Sequence, residues 1–161
     1  MNAPAEPNNH LIGASVKRKE DFRFLTGAGQ YTDDVVQAHQ SYAVFLRSPY
    51  AHARIKHINT DAARNHPGVL AVLTGDDLAA DKVNGLPCGW LIHSIDGTPM
   101  KEPPHPVLAQ GKVRHVGDQV ALVVAESVKI AKDAVEMIDV EYDELPAVVD
   151  TATADTAGTA V

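Results

Sequence analysis

The stretch 12-IGASVKRKEDFRFLTGAGQYTDD-34, resumed at 42-YAVFLRSPYAHARI-55, decides how this chain is read. A generic apolar core does not require so many specific polar residues in succession. A mixed-charge cluster (Lys17, Arg18, Lys19, Glu20, Asp21, Arg23) leads through Phe24 to Gly27 and Gly29, then to Tyr31 and the acidic pair Asp33-Asp34. From residue 42 the pattern alternates. Tyr42, Val44 and Leu46 fall on one face and Ala43, Phe45 and Arg47 on the other, which predicts a strand over 42–47. Ser48-Pro49 stops it, because proline cannot donate to a ladder. A second strand is predicted over 53–58, with Ala53, Ile55 and His57 opposing Arg54, Lys56 and Ile58.

Further along, Asn59 or Thr60 is placed to cap a short helix over 61–65, closed by Pro67-Gly68. Residues 69–73 form a compact apolar strand, and 74–77 start a turn, with Asp76-Asp77 suited to a helix N-terminus. Residues 80–106 contain Pro87, Pro99, Pro103, Pro104 and Pro106, and a loop of that length inside a domain is expected to be functional or to dock something. The strongest apolar strand is 120–125. Ser127 then caps a helix on which Val128, Ala131, Val135 and Ile138 share one face. Strands are expected at 139–142 and, after the Leu145-Pro146 turn, at 147–149. The expectation is an α+β fold, a mixed sheet with two helices and a long Pro-rich loop. A disordered tail is expected at 1–11, one domain over 12–149, and a tail or truncated linker over 150–161.

Composition narrows the function. With 161 residues the chain can bury about two-thirds of its unfolded surface without a disulfide or metal staple. Only 5% of residues are aromatic, so the core must rest on Val, Ile, Leu and Ala. Fourteen basic residues against 21 acidic ones give a net charge of −7, which argues against nucleic-acid binding. No apolar run is long enough to span a membrane, and residues 1–12 lack a signal-peptide core, so a cytoplasmic protein is expected.

Candidate chemistry is sparse. Cys88 is the only cysteine and has no spacing-matched partner, so it reads as an inert thiol. The eight histidines include no pair at zinc-ligand spacing, and His52 and His57 are expected on opposite faces. Gly27-x-Gly29 is half of a dinucleotide fingerprint without the flanking strand and helix, so it reads as a turn. Asp33-Asp34 is expected to cap, or to pair with the Lys17–Arg23 charges. Neither it nor Asp76-Asp77 makes an acid–base dyad, since adjacent side chains diverge. The residues alone indicate no catalytic, cofactor-binding or metal site.

The pieces quoted so far, in order, resemble the molybdenum subunit of the xanthine dehydrogenase and aldehyde oxidase family, in the branch that includes the carbon monoxide dehydrogenase large chain. The resemblance runs from about Ile12 to Val149. It takes in the opening run, then Arg47-Ser48-Pro49-Tyr50-Ala51-His52-Ala53, Pro67-Gly68-Val69 and Leu73-Thr74-Gly75-Asp76-Asp77-Leu78. Later come Leu108-Ala109, residues 113–121 (VRHVGDQVA) and residues 140–148 (VEYDELPAV). Where the family more usually has Gly-Glu-Pro-Val-Ala, this chain has Gly117-Asp118-Gln119-Val120-Ala121.

That resemblance implies the small α/β hammerhead domain that opens the molybdenum subunit. It further implies a whole enzyme using molybdopterin, in the cytosine dinucleotide form, held by later domains. FAD and 2Fe-2S clusters would sit on partner subunits. The enzyme would act on an aldehyde, carbon monoxide, a purine or an N-heterocycle, and the isolated chain would be inactive. The segment holding Arg18, Glu20, Asp21, Arg23, Phe24, Gly27, Gly29, Tyr31, Asp33 and Asp34 is expected to be a docking strap toward the rest of the subunit or the redox partners. The bland alternative for its charges is a solvated face. For the chain as a whole the alternatives are a stand-alone interaction domain using the 86–106 loop, and a carrier domain, which would need a modifiable hairpin lysine.

Overall fold

A computed structural model describes residues 12–13, 17–154 and 156. The expected tail at 1–11 lies outside the described residues. The chain divides into two compact units, Met1–Ala38 and His39–Val161.

Within the first unit, helix α1 (Asp21–Leu25) is a single turn with no buried residue. Gly27, at φ +71°, ends it, with its N–H donating to the Phe24 carbonyl. A 3₁₀ turn follows at Thr32–Asp34.

The second unit holds strands β1 (Tyr42–Arg47), β2 (Ala53–Asn59), β3 (Val69–Thr74), β4 (Lys112–Val113), β5 (Gln119–Ala125) and β6 (Asp139–Glu144). Helices α2 (Asp61–Arg64), α3 (Gly75–Ala80) and α4 (Val128–Val135) lie between them. The α+β class stands, but the expected mixed sheet is two antiparallel sheets of three strands, ordered β1-β5-β3 and β4-β2-β6. The apolar run of β5 explains the first sheet. Both of its neighbours are strands of alternating or continuous apolar residues, and Val123 lies opposite Val44 on one side and Val72 on the other. Helix α4 packs Ala131 and Ala134 against Val72, Ala121, Val123 and Ala125. Ser127 caps it, its Oγ accepting from the Ile130 N–H at 3.2 Å. A second, smaller core joins Ala53, Ala109, Val113 and Val120; Leu46, Ile58 and Val140 touch both.

Three local expectations change. In β2 the register against β6 shifts between Ile55 and His57, a bulge that turns Ile58 inward and leaves His57 exposed. Residues 147–149 form no strand, since β6 already completes its sheet edge through Glu144. The two expected helices are present and two more join them. α1 and α3 are too short to show a helical apolar period.

Helix α3 starts with a reciprocal cap. The Asp77 carboxylate accepts from Thr74 N–H at 2.7 Å and Thr74 Oγ1–H at 2.8 Å, while the Asp77 N–H donates back to Thr74 Oγ1. Arg64 adds an ion pair at 3.2 Å. Partial burial pushes the Asp77 carboxyl up, but the Thr74 hydrogen bonds and the Arg64 charge outweigh it and hold it below the ordinary aspartate value. The native state thus favours ionised Asp77. Its contribution to stability is complete above the unfolded-state pKa and is lost as pH falls through the lower folded-state value. The Tm gap between the parent and Asp77→Asn should therefore be widest near about pH 6 and close toward about pH 2. A pH-independent gap would show that the carboxylate charge contributes nothing.

Candidate functional site

Three of the sequence pieces met above come together in the second unit as a clamp of backbone groups. Ser48 N–H donates to the Asp118 carbonyl and Gly117 N–H donates to the Ser48 carbonyl, both at 2.8 Å. The Arg47 guanidinium reaches the Gly117 carbonyl at 2.9 Å. Ser48 is buried, and its Oγ accepts from Tyr50 N–H at 3.0 Å. Asp118 uses its carboxylate on the Arg114 N–H at 2.9 Å, with His115 Nδ1 at 3.8 Å. His52 is buried, and its Nδ1–H donates to the Pro146 carbonyl at 2.7 Å, while Leu145 N–H donates to the His52 carbonyl. The Tyr50 and Tyr142 rings close the cluster at 5.0 Å. Burial pushes the Tyr142 phenol up, opposed by a hydrogen bond with Ser48, so it stays neutral at ordinary pH.

Through these bonds to backbone groups, part-buried at Ser48 and His52 and exposed at Arg47 and Asp118, the polar residues fix how three segments meet. His52 and His57 do not form a pair, because one is tied to Pro146 and the other faces outward past the bulge. Among the described residues no three His, Cys, Asp or Glu side chains gather as a metal-binding set.

A cleft of about 420 Å³ opens beside the clamp, lined by Cys88, Met100, Glu102, Pro104, His105 and Arg114 among others. Cys88 places its thiol 3.4 Å from the Trp90 carbonyl, and its N–H donates to Glu102. The cleft's lining includes two cations, Lys101 and Arg114, and two carboxylates, Glu102 and Asp118. Much of the wall is proline and other apolar surface. Two cations matched in number by two carboxylates on an otherwise apolar wall make a poor seat for the phosphates of a molybdenum pterin dinucleotide. No chemical step is assigned to it.

In the first unit, the strap residues form an ordered local structure. Arg18 Nε pairs with Asp21 at 2.8 Å. The Arg23 guanidinium lies 5.1 Å from the Phe24 ring centre, and Phe24 stacks on Tyr31 at 5.1 Å with 10° between planes. A side chain at Gly29 would run into the Phe24 ring. Asp34 caps the 3₁₀ turn, accepting from Tyr31 N–H at 2.9 Å. Of the two roles expected for Asp33-Asp34, capping is the one the structure displays. Glu20 is the residue preceding α1, and Asp33 lies within the 3₁₀ turn. Phe22 and Leu25, which the sequence reading did not single out, are largely exposed beside this stack. Only the placement of the α1 turn reveals them.

Two antiparallel three-stranded sheets with few, short helices match the architecture of an α/β hammerhead. Residues 26–146 match the family described as the aldehyde oxidase and xanthine dehydrogenase a/b hammerhead domain, and the chain belongs to that family. It is 42% identical over 156 residues to the carbon monoxide dehydrogenase large chain of Hydrogenophaga pseudoflava, covering 93% of this chain and 18% of that one. It is 36% identical over 124 residues to the xanthine dehydrogenase molybdenum-binding subunit of Escherichia coli O157:H7, covering 77% and 16%. Among solved structures, quinoline 2-oxidoreductase from Pseudomonas putida 86 superposes with a TM-score of 0.75 at 41% identity, covering 92% of this chain and 18% of that one. The chain thus spans less than a fifth of the length of these relatives. None of the helices among the described residues is long and apolar enough to cross a membrane.

Proposed function

We propose that this chain is the supporting and docking domain of a molybdenum hydroxylase large subunit, and that it has no catalytic residue of its own. In this reading the whole enzyme is an oxidoreductase acting on an aldehyde, carbon monoxide, a purine or an N-heterocycle. Its molybdopterin, in the cytosine dinucleotide form, sits in the remainder of the large subunit, FAD and 2Fe-2S clusters on cytoplasmic partner subunits. The observation that carries it is the strap. Its charged and aromatic residues are organised among themselves, with Phe24 on Tyr31, Arg23 on Phe24 and Arg18 on Asp21, while Phe22 and Leu25 remain exposed. A merely solvated charged face would carry no such apolar pair.

Arg18→Ala combined with Arg23→Ala tests it. Arg18 is mostly exposed and α1 buries nothing, so chain stability should change by less than about 0.5 kcal/mol. Association with the rest of the enzyme should weaken at least about tenfold, because arginines are frequent energetic anchors of interfaces. Unchanged association would remove the strap from the interface.

A further inference from the structure

The loop after α3 contains a built projection. Ser94 N–H donates to the Thr98 carbonyl and Gly97 N–H to the Ser94 carbonyl, each at 2.9 Å, and His93 bridges Pro99. Met100 N–H closes the hairpin on the Ile92 carbonyl at 3.1 Å. Its base is held by Leu86 N–H on the His105 carbonyl at 2.8 Å and by Cys88 N–H on Glu102 at 3.1 Å. The arm is a defined shape with a fixed root.

Its surface is apolar. Trp90 is 79% exposed, Leu91 61%, Ile92 55%, and Ile95 at the tip is fully exposed. Across residues 83–100 the only Asp, Glu, Lys or Arg is Asp96, one carboxylate oxygen of which accepts from Thr98 N–H and Oγ1–H at 2.9 and 2.7 Å. A chain with 22% charged residues would place about four in such a stretch. Four large apolar side chains held outward with a single charge, Asp96, among them do not suit a surface that stays in water.

We propose that the hairpin arm over residues 86–100 docks, through Trp90, Leu91, Ile92 and Ile95, into an apolar groove of the molybdenum-binding remainder of the same large subunit. The assignment rests on the reading under Proposed function. More than four-fifths of the length of the carbon monoxide dehydrogenase large chain lies beyond what this chain matches, which is ample protein to form the groove. The chemistry also selects among occupants. Contacts between parts of one polypeptide that never separate are apolar and poor in charge, like a domain core cut in half. The strap, rich in arginine and acid, and the arm, nearly free of charge, are therefore two docking elements of different character.

Site-specific photocross-linking in the assembled holoenzyme tests this, with p-benzoylphenylalanine in place of Trp90 or Ile95. The same group in place of Tyr31 reports on the strap, and in place of exposed Lys129 serves as control. The arm positions should cross-link to peptides of the molybdenum-binding part of the large subunit, and Lys129 should not. Links to a flavin or iron–sulfur subunit, to a second large subunit, or to nothing overturn the arm assignment. If Tyr31 still links to the enzyme, only the arm assignment falls; if neither position links, the docking function falls with it. As a second readout, Ile95→Asp should lower the yield of molybdenum-loaded enzyme about tenfold, since the tip residue contacts nothing that folding this domain requires. An unchanged yield overturns the proposal.

Discussion

A chain carrying Val123→Asp is expected to lose its cooperative thermal transition. Val123 has no exposed surface and sits at the centre of the middle strand, opposite Val44 and Val72 and beneath α4. Its surroundings are the side chains of valine, alanine and isoleucine, which offer a carboxylate no donor. An uncompensated buried charge costs about 3–5 kcal/mol, and neutralising it by proton uptake still leaves an unpaired acid in the core. A domain of this size has about 5–15 kcal/mol in total. The milder Val123→Ala removes two methyl groups and should cost about 2 kcal/mol, lowering Tm by about 10 °C. Circular dichroism melts of both variants check this. A Val123→Asp chain melting within about 5 °C of the parent would contradict the central place given to β5.

Gly75→Val should be about as damaging as Val123→Ala, for a different reason. A β-carbon at Gly75 would press into the backbone carbonyl of Ala109, with the Gln110 side chain also close. That carbonyl cannot rotate away. Ala109 belongs to the second core and its N–H is bonded to the Gln119 carbonyl at 2.7 Å. Overpacking against fixed backbone costs about 1–3 kcal/mol, so Tm should fall by about 5–15 °C. Gly89→Ala is the matched control. Nothing lies within 4 Å of a β-carbon there, and the change should stay within about 0.5 kcal/mol. Equal effects at the two glycines would show that the α3–Ala109 approach is not tight.

What could be read from the sequence follows from where the period is strong. β1, β3 and β5 announce themselves because their apolar residues run or alternate over six or seven positions. Helix α4 does so through Ser127 and its apolar stripe. β4 has two residues, too few for any pattern. The inward turn of Ile58 depends on a bulge that only the pairing partner reveals. His52 and Arg47 look chemical in sequence, yet their partners are backbone carbonyls far away in the chain, Pro146 and Gly117. The strap was legible as a dense run of specific residues. Its internal order was not, because the Phe24–Tyr31 stack depends on the turn at Gly27. The arm could be seen as a long Pro-rich loop, but its hairpin rests on backbone bonds with no sequence period.

If this domain works as part of a molybdenum enzyme, as proposed, it should be purified together with the metal. The most direct measurement is the molybdenum content of the complex isolated from its own cells through an affinity tag on this domain. Close to one molybdenum per tagged domain is expected, lost in step with association when Arg18→Ala and Arg23→Ala are introduced. A homogeneous, folded, molybdenum-free protein would contradict it.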